Sequence, residues 1–182
     1  MLFRSDLDVS RTPVRDALQR LYREGVIEPA GRRGFIVREP SPRDTKDFYE
    51  ARIAIEGHAA AQLAQGFPRR LESLRRFLSE IAVARPGSTR QSFENNRDFH
   101  RGVVFATENK YLIDMFDTIW NRSRTALTFR QFATSNPAQD FTCEHEQLIV
   151  DLQGAGPAEA RRSMTEHIRS GLVRTRLETG QE

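Results

Sequence analysis

The stretch Val9-Ser10-Arg11-Thr12-Pro13-Val14-Arg15-Asp16-Ala17-Leu18-Gln19-Arg20-Leu21, followed by Glu24-Gly25-Val26-Ile27, decides how the chain is read. Asp8-Val9-Ser10 forms a turn in which Ser10 can cap a helix. Pro13 falls in the first helical turn, where its missing N–H costs nothing. Val14, Ala17, Leu18 and Leu21 recur at helical spacing, which predicts a helix over residues 12–24 that Gly25 ends. Arg11, Arg15, Asp16 and Arg23 lie off that apolar stripe. Val26-Ile27-Glu28 and Gly34-Phe35-Ile36-Val37 then read as short strands around Ala30-Gly31-Arg32-Arg33. Helix, turn, helix and a two-stranded wing is the order of a winged helix-turn-helix. Residues 1–40 hold eight arginines against six acids, and Arg forks onto both phosphates and guanine edges.

Beyond this segment the pattern becomes helical to the end. Pro40-Ser41-Pro42 is a linker in which Ser41 can cap the next helix. Helices are predicted near residues 42–65, 68–84, 89–107, 110–132, 138–153 and 157–178. The breaks carry the expected punctuation: Gly66-Phe67-Pro68, Arg85-Pro86-Gly87, Glu108-Asn109, Ser135-Asn136-Pro137 and Gly154-Ala155-Gly156-Pro157. Short links between long helices favour an antiparallel bundle. The expected fold is therefore mostly α: a small, partial winged helix-turn-helix over residues 1–39, a linker at 40–42, and an all-α antiparallel bundle of about six helices over 43–182. No apolar run approaches the roughly 18 residues that a membrane helix needs. The start lacks a secretory core, and Cys143 is the only cysteine, so the cytoplasm is the expected location.

Residues 9–21 and 24–27 resemble the recognition helix of GntR-type regulators, and Gly31-Arg32-Arg33-Gly34-Phe35-Ile36-Val37 is similar to the wing of that family. The resemblance implies that Arg11 and Arg15 reach base edges or phosphates, that Thr12 contacts the backbone, and that Gly34 lets the wing tip approach the minor groove. Elementary geometry agrees, because a recognition helix enters the major groove with its N-terminal residues leading. Its N-terminal dipole also favours phosphate. Members of the family usually carry a further helix and a Pro-Gly turn upstream, and a Gly where Asp8 stands. The resemblance therefore implies a reader shortened at its start, with less apolar cover for Leu18 and Leu21.

Three of the four histidines fall on stripes that look core-facing. Phe93, Asn96, His100, Val103 and Val104 share one face; Phe141, His145, Leu148, Ile149 and Leu152 share another; His167 lies beside Met164 and Ile168. Imidazoles inside a bundle are costly unless satisfied, by hydrogen bonds or by a metal. Residues 42–180 resemble the FCD sensor domain that follows the reader in one GntR subfamily. The matching pieces are Glu50-Ala51-Arg52-Ile53-Ala54-Ile55-Glu56, Asn96-Arg97-Asp98-Phe99-His100, Thr107-Glu108-Asn109, Glu144-His145-Glu146-Gln147-Leu148-Ile149, and His167. That resemblance implies a divalent cation held by Asn96, His100, His145 and His167. Three histidines suit zinc, nickel, manganese or iron, and Asn in place of Asp weakens the charge of the site. Asp98 sits off the His100 face and is expected in solvent; His58, Cys143 and Trp120 read as structural.

Phe48, Arg52, Ile55, Ala59 and Leu63 form one stripe. An arginine on an apolar face wants an anion. Two partners are open: Glu56 one turn along, or the carboxylate of an effector gripped in two places. The family resemblance implies small organic acids or sugar acids that also touch the metal. The expected function is thus a homodimeric DNA-binding regulator, a repressor released from a double-stranded operator by such an acid, with no membrane partner. Paired half-sites imply the dimer. Two other readings are weighed. One is a sensor module acting through dimerisation alone, suggested by the short reader. The other is a metal-dependent enzyme, since a three-histidine cation can activate water. Against it, Glu144 and Glu146 flank His145 on other faces, which leaves no convincing general base.

Overall fold

Local signals set the elements of the reader. In this computed structural model, residues 10–31, 34–38, 41–65, 68–84, 89–120 and 141–179 are described. Helix α1 spans Arg11–Arg23, one residue earlier at each end than expected. Ser10 occupies the cap position with extended backbone, but its side chain makes no capping hydrogen bond. Gly25 follows at φ 71°, a left-handed conformation that stops the helix. Strands β1 (Ile27–Pro29) and β2 (Phe35–Val37) pair antiparallel in the register Ile27↔Val37, Glu28↔Ile36 and Pro29↔Phe35. Gly34 sits at φ +114° where β2 begins, with open space around its Cα. Backbone conformation, not crowding, is what demands glycine there. No residue of α1 is fully buried; Val14, Leu18 and Leu21 are half-buried, while Val26 and Ile27 are buried.

Helix α2 (Pro42–Leu63) opens with a complete capping box. The Ser41 Oγ accepts from the Asp44 N–H at 3.1 Å, and the Asp44 carboxylate accepts from the Ser41 N–H at 3.0 Å. The expected cap at Ser41 is present. Asp44 also stands 3.5 Å from the guanidinium of Arg38, which immediately follows β2. The start of α2 is thereby tied to the wing. Ser41→Ala is expected to cost about 1 kcal/mol and to lower the melting temperature by about 2–4 °C. Thermal unfolding followed by circular dichroism checks this, and an unchanged midpoint would show the cap to be idle.

Five further helices complete the described bundle: α3 (Pro68–Ala84), α4 (Thr89–Phe105), α5 (Lys110–Trp120), α6 (Thr142–Leu152) and α7 (Pro157–Thr179). The break between α4 and α5 falls at Glu108 (φ 57°) and Asn109, whose side chain accepts from the N–H of Tyr111 at 3.1 Å. The part of the 110–132 expectation beyond Trp120 lies outside the described residues.

The central packing is α2 against α7. A Cβ on Gly57 would meet Arg161 and Thr165, and one on Gly171 would meet the Tyr49 ring. Later residues of one helix face earlier residues of the other, so the pair is antiparallel. Ala59, Ala60 and Ala160, all at 0% exposure, provide small side chains in the core that these helices share. Helix α4 packs on α2, α3 and α5, and α6 packs on α3 and α7. The core joins Leu63, Leu78, Phe99, Val103, Phe116, Ile149, Leu152, Met164 and Ile168. Among the described residues, no helix is long and apolar enough to cross a membrane.

Candidate functional site

Four helices deliver the polar groups that sit inside this apolar bundle. Helix α4 brings His100, α6 brings His145 and α7 brings His167. Their ring centroids lie 5.1, 5.2 and 5.2 Å apart, and one nitrogen from each lies within 4.8 Å of the others. His100 and His145 are 1% and 2% exposed, and His167 is half-buried. The stripes read from the sequence therefore do converge. Asn96 is half-buried one turn before His100, on the same side of α4. Asp98 stays at the surface with its carboxylate 2.7 Å from Arg97. His58 is exposed, 3.0 Å from Gln62, and Cys143 is exposed.

The donor chemistry suits a divalent transition metal. Nitrogens on one ion at about 2.0–2.1 Å can be no more than about 4.2 Å apart. The present cluster, with its ligand atoms within 4.8 Å of one another, lies close to that limit. Aromatic neighbours restrict how the rings turn: Phe99 stacks on His145 at 3.9 Å with 17° between planes, and Trp120 lies parallel to His100 at 6.0 Å.

Helix α2 supplies the charges. Arg52 donates to Glu56 through Nε at 2.8 Å and Nη2 at 3.3 Å. Of the two partners open to Arg52 in the sequence, Glu56 is the one it engages. The Arg52 guanidinium also lies over the rings of Trp120, Tyr49 and Phe48 at 4.7, 5.4 and 5.8 Å. Glu56 is 0% exposed, and its Oε2 stands 2.6 Å from His100 Nδ1, with the N–H off the ideal line. Burial pushes the Glu56 carboxyl up, but Arg52 and then His100 outweigh it and bring it down to about 2. Burial also lowers His100 and outweighs the pull of Glu56, so this imidazole is neutral at pH 7. A carboxylate 2.6 Å from Nδ1 favours the proton on that nitrogen over the other.

Two residues of this site were not recognised as such from the sequence. Glu56 entered only as a partner for Arg52, although its position one turn along an apolar stripe was a usable signal. Trp120 was set aside as structural, yet it contacts both Arg52 and His100, and its buried indole N–H has no partner among the described residues.

In the reader, Arg11, Thr12 and Arg15 are exposed along the N-terminal half of α1. Arg20 is held by Glu24 at 2.9 Å, whereas Arg11 and Arg15 enter no ion pair among the described residues. Free guanidinium groups at a helix N-terminus suit phosphate and base edges.

Comparison with known proteins accounts for both halves. Residues 3–37 match the model of bacterial regulatory proteins, gntR family, and residues 47–170 match that of the FCD domain. A probable D-xylose utilization operon transcriptional repressor from Paenarthrobacter nicotinovorans is 28% identical over 177 residues, covering 97% of this chain and 77% of that protein. The Nta operon transcriptional regulator of Aminobacter aminovorans is 31% identical over 123 residues, 67% of this chain and 59% of that protein. In fold, a transcriptional regulator GntR from Rhodococcus sp. RHA1 superposes with a TM-score of 0.69 at 18% identity, over 94% of this chain and 83% of that one. The chain belongs to the GntR family, with an FCD domain behind its reader, and is a DNA-binding transcription regulator rather than an enzyme.

Proposed function

We propose that this regulator is a homodimeric repressor whose FCD domain holds a divalent cation and releases DNA when a small organic acid or sugar acid binds. The convergence of His100, His145 and His167 within 4.8 Å carries the reading. Asn96, one turn from His100, is the proposed fourth ligand. When bound, the cation supplies a Lewis-acid contact for carboxylate and hydroxyl oxygens. Zinc, nickel, manganese and iron all accept imidazole. The name of the Paenarthrobacter relative, a repressor, supports the sign of regulation.

Arg52 is the proposed grip on the acid. Its Nε/Nη2 edge is committed to Glu56, and its Nη1/Nη2 edge is the one a carboxylate would use. Arg52 lies one carboxylate away from His100, so an acid on the cation meets a second positive charge. Helix α2 is the shared element: it carries Arg52 and Glu56 in its middle, and its first turn touches Arg38 through Asp44. An effector shifts DNA affinity only by preferring one arrangement of that connection over another. Arg11, Thr12 and Arg15 are the proposed DNA contacts, with Gly34 shaping the wing. A dimer places two such readers on paired half-sites.

Metal content tests the carrying observation. The purified chain, loaded with zinc and dialysed, is expected to retain one ion per protomer by elemental analysis, and His145→Ala is expected to lose most of it. Equal metal in wild type and His145→Ala removes the site. The same comparison by thermal unfolding reads occupancy separately, because ligand at about 100 times its Kd stabilises by about 2.7 kcal/mol.

A further inference from the structure

We propose that Glu56 is the positioning residue of the metal centre: it holds His100 in one tautomer and one orientation, so that the remaining ring nitrogen faces the cation. The inference rests on the metal reading above and adds a residue from a helix that provides none of the proposed ligands.

Three observations carry it. Glu56 is wholly buried on α2, and its Oε2 approaches His100 Nδ1 to 2.6 Å, across the α2–α4 packing. A carboxylate there is an expensive way to fill space, since apolar residues of similar size often serve stability as well or better. The chain nevertheless keeps it there, clamped by the Arg52 guanidinium at 2.8 and 3.3 Å. Arg52 is in turn seated over Trp120 at 4.7 Å, and Trp120 lies parallel to His100, so these groups form one packed unit. An ionised carboxylate accepts only, which commits the Nδ1 proton to Glu56 and aims basicity at Nε2. In the present arrangement the Nδ1–H is not aligned on the carboxylate, although the two atoms stand only 2.6 Å apart. His145 is oriented differently, by the face of Phe99 at 3.9 Å. A purely structural role for Glu56 would place no demand on the His100 tautomer.

The test uses the full chain with zinc and cobalt as probes. Nitrogen-15 NMR of the metal-free wild type is expected to show His100 protonated on Nδ1. Glu56→Gln keeps size and an acceptor oxygen but removes the charge. It is expected to weaken zinc binding about 10- to 100-fold in chelator competition, and to alter the visible spectrum of the cobalt form. Glu56→Asp keeps the charge, shortens the reach, and is expected to fall between the two. A wild-type His100 protonated on Nε2, or zinc affinity in Glu56→Gln equal to wild type, overturns the proposal. The NMR arm requires no variant to fold. A wild type that takes up neither zinc nor cobalt instead fails the metal reading itself, and this inference with it.

Discussion

Replacing Arg52 with methionine is expected to destabilise the bundle by about 3–5 kcal/mol in urea unfolding. The reason is what the change leaves behind. Glu56 has no exposed surface, and Arg52 is the cation that holds it ionised there. Without that cation the carboxyl must take up a proton or stay charged in an apolar interior, and either outcome costs folding free energy. The cation's stacking on Trp120, Tyr49 and Phe48 is lost as well. Removing both charges together, in Arg52→Met with Glu56→Leu, is expected to recover most of the loss, because a buried ion pair seldom outperforms apolar packing. A single substitution costing under about 1 kcal/mol would mean that the pair is not sealed from water.

Acid should weaken the same unit from the other side. The folded Glu56 carboxyl lies at about 2, below its ordinary value of 4.5. Its contribution is therefore complete above that ordinary value and is lost as pH falls toward 2. His100 is also depressed in the folded chain, below 6.5, with burial as the main cause. Below pH 6.5 the unfolded chain takes up a proton that the folded one resists, so stability begins to fall there. Unfolding free energy is expected to decline gently below pH 6.5 and more steeply below 4.5. Arg52→Met should flatten the lower branch.

Arg11→Ala and Arg15→Ala are each expected to reduce specific operator binding by about 1–3 kcal/mol, roughly 5- to 150-fold, with the bundle still folded. Both side chains are exposed near the start of α1 and engage no acid among the described residues. Both are therefore available to DNA without first breaking an intramolecular pair. Arg20→Ala is the internal control. That guanidinium is tied to Glu24 one turn away, nearer the trailing end of the helix, and its loss should matter much less. Titrations belong at two salt concentrations against the upstream region and a scrambled control, because phosphate contacts alone make affinity salt-dependent. Loss of binding at every sequence alike would assign an arginine to phosphate. Loss confined to the operator would assign it to a base edge. Equal losses for Arg20 and Arg11 would remove the special role of the helix start.

Much of this architecture is local and was legible residue by residue. The cap at Ser41, the stop at Gly25 and the break at Glu108-Asn109 depend only on near neighbours. The stripes of α4, α6 and α7 follow from a period of 3.6 residues, which by itself turns His100, His145 and His167 toward the apolar side of their helices. The same period places Glu56 one turn beyond Arg52, so that pair was foreseeable too. What periodicity leaves open is azimuth and register between helices. A stripe says that a side chain points inward, not which residue of which neighbour it meets. That the three imidazoles come within 4.8 Å depends on how α4, α6 and α7 are rotated about their axes. The approach of Glu56 to His100 Nδ1 depends on how far α2 has slid along α4, and the contact of Trp120 with both Arg52 and His100 depends on the position of α5. A slide of one residue along a helix is only about 1.5 Å, yet it turns the contact face by about 100°. The sequence by itself therefore determined the order of reader and described helices and the inward-facing histidines, but not the roles of Glu56 and Trp120. The tertiary packing alone decided which of them share a site, because contacts made across helices are chosen by the shapes of all the side chains between them.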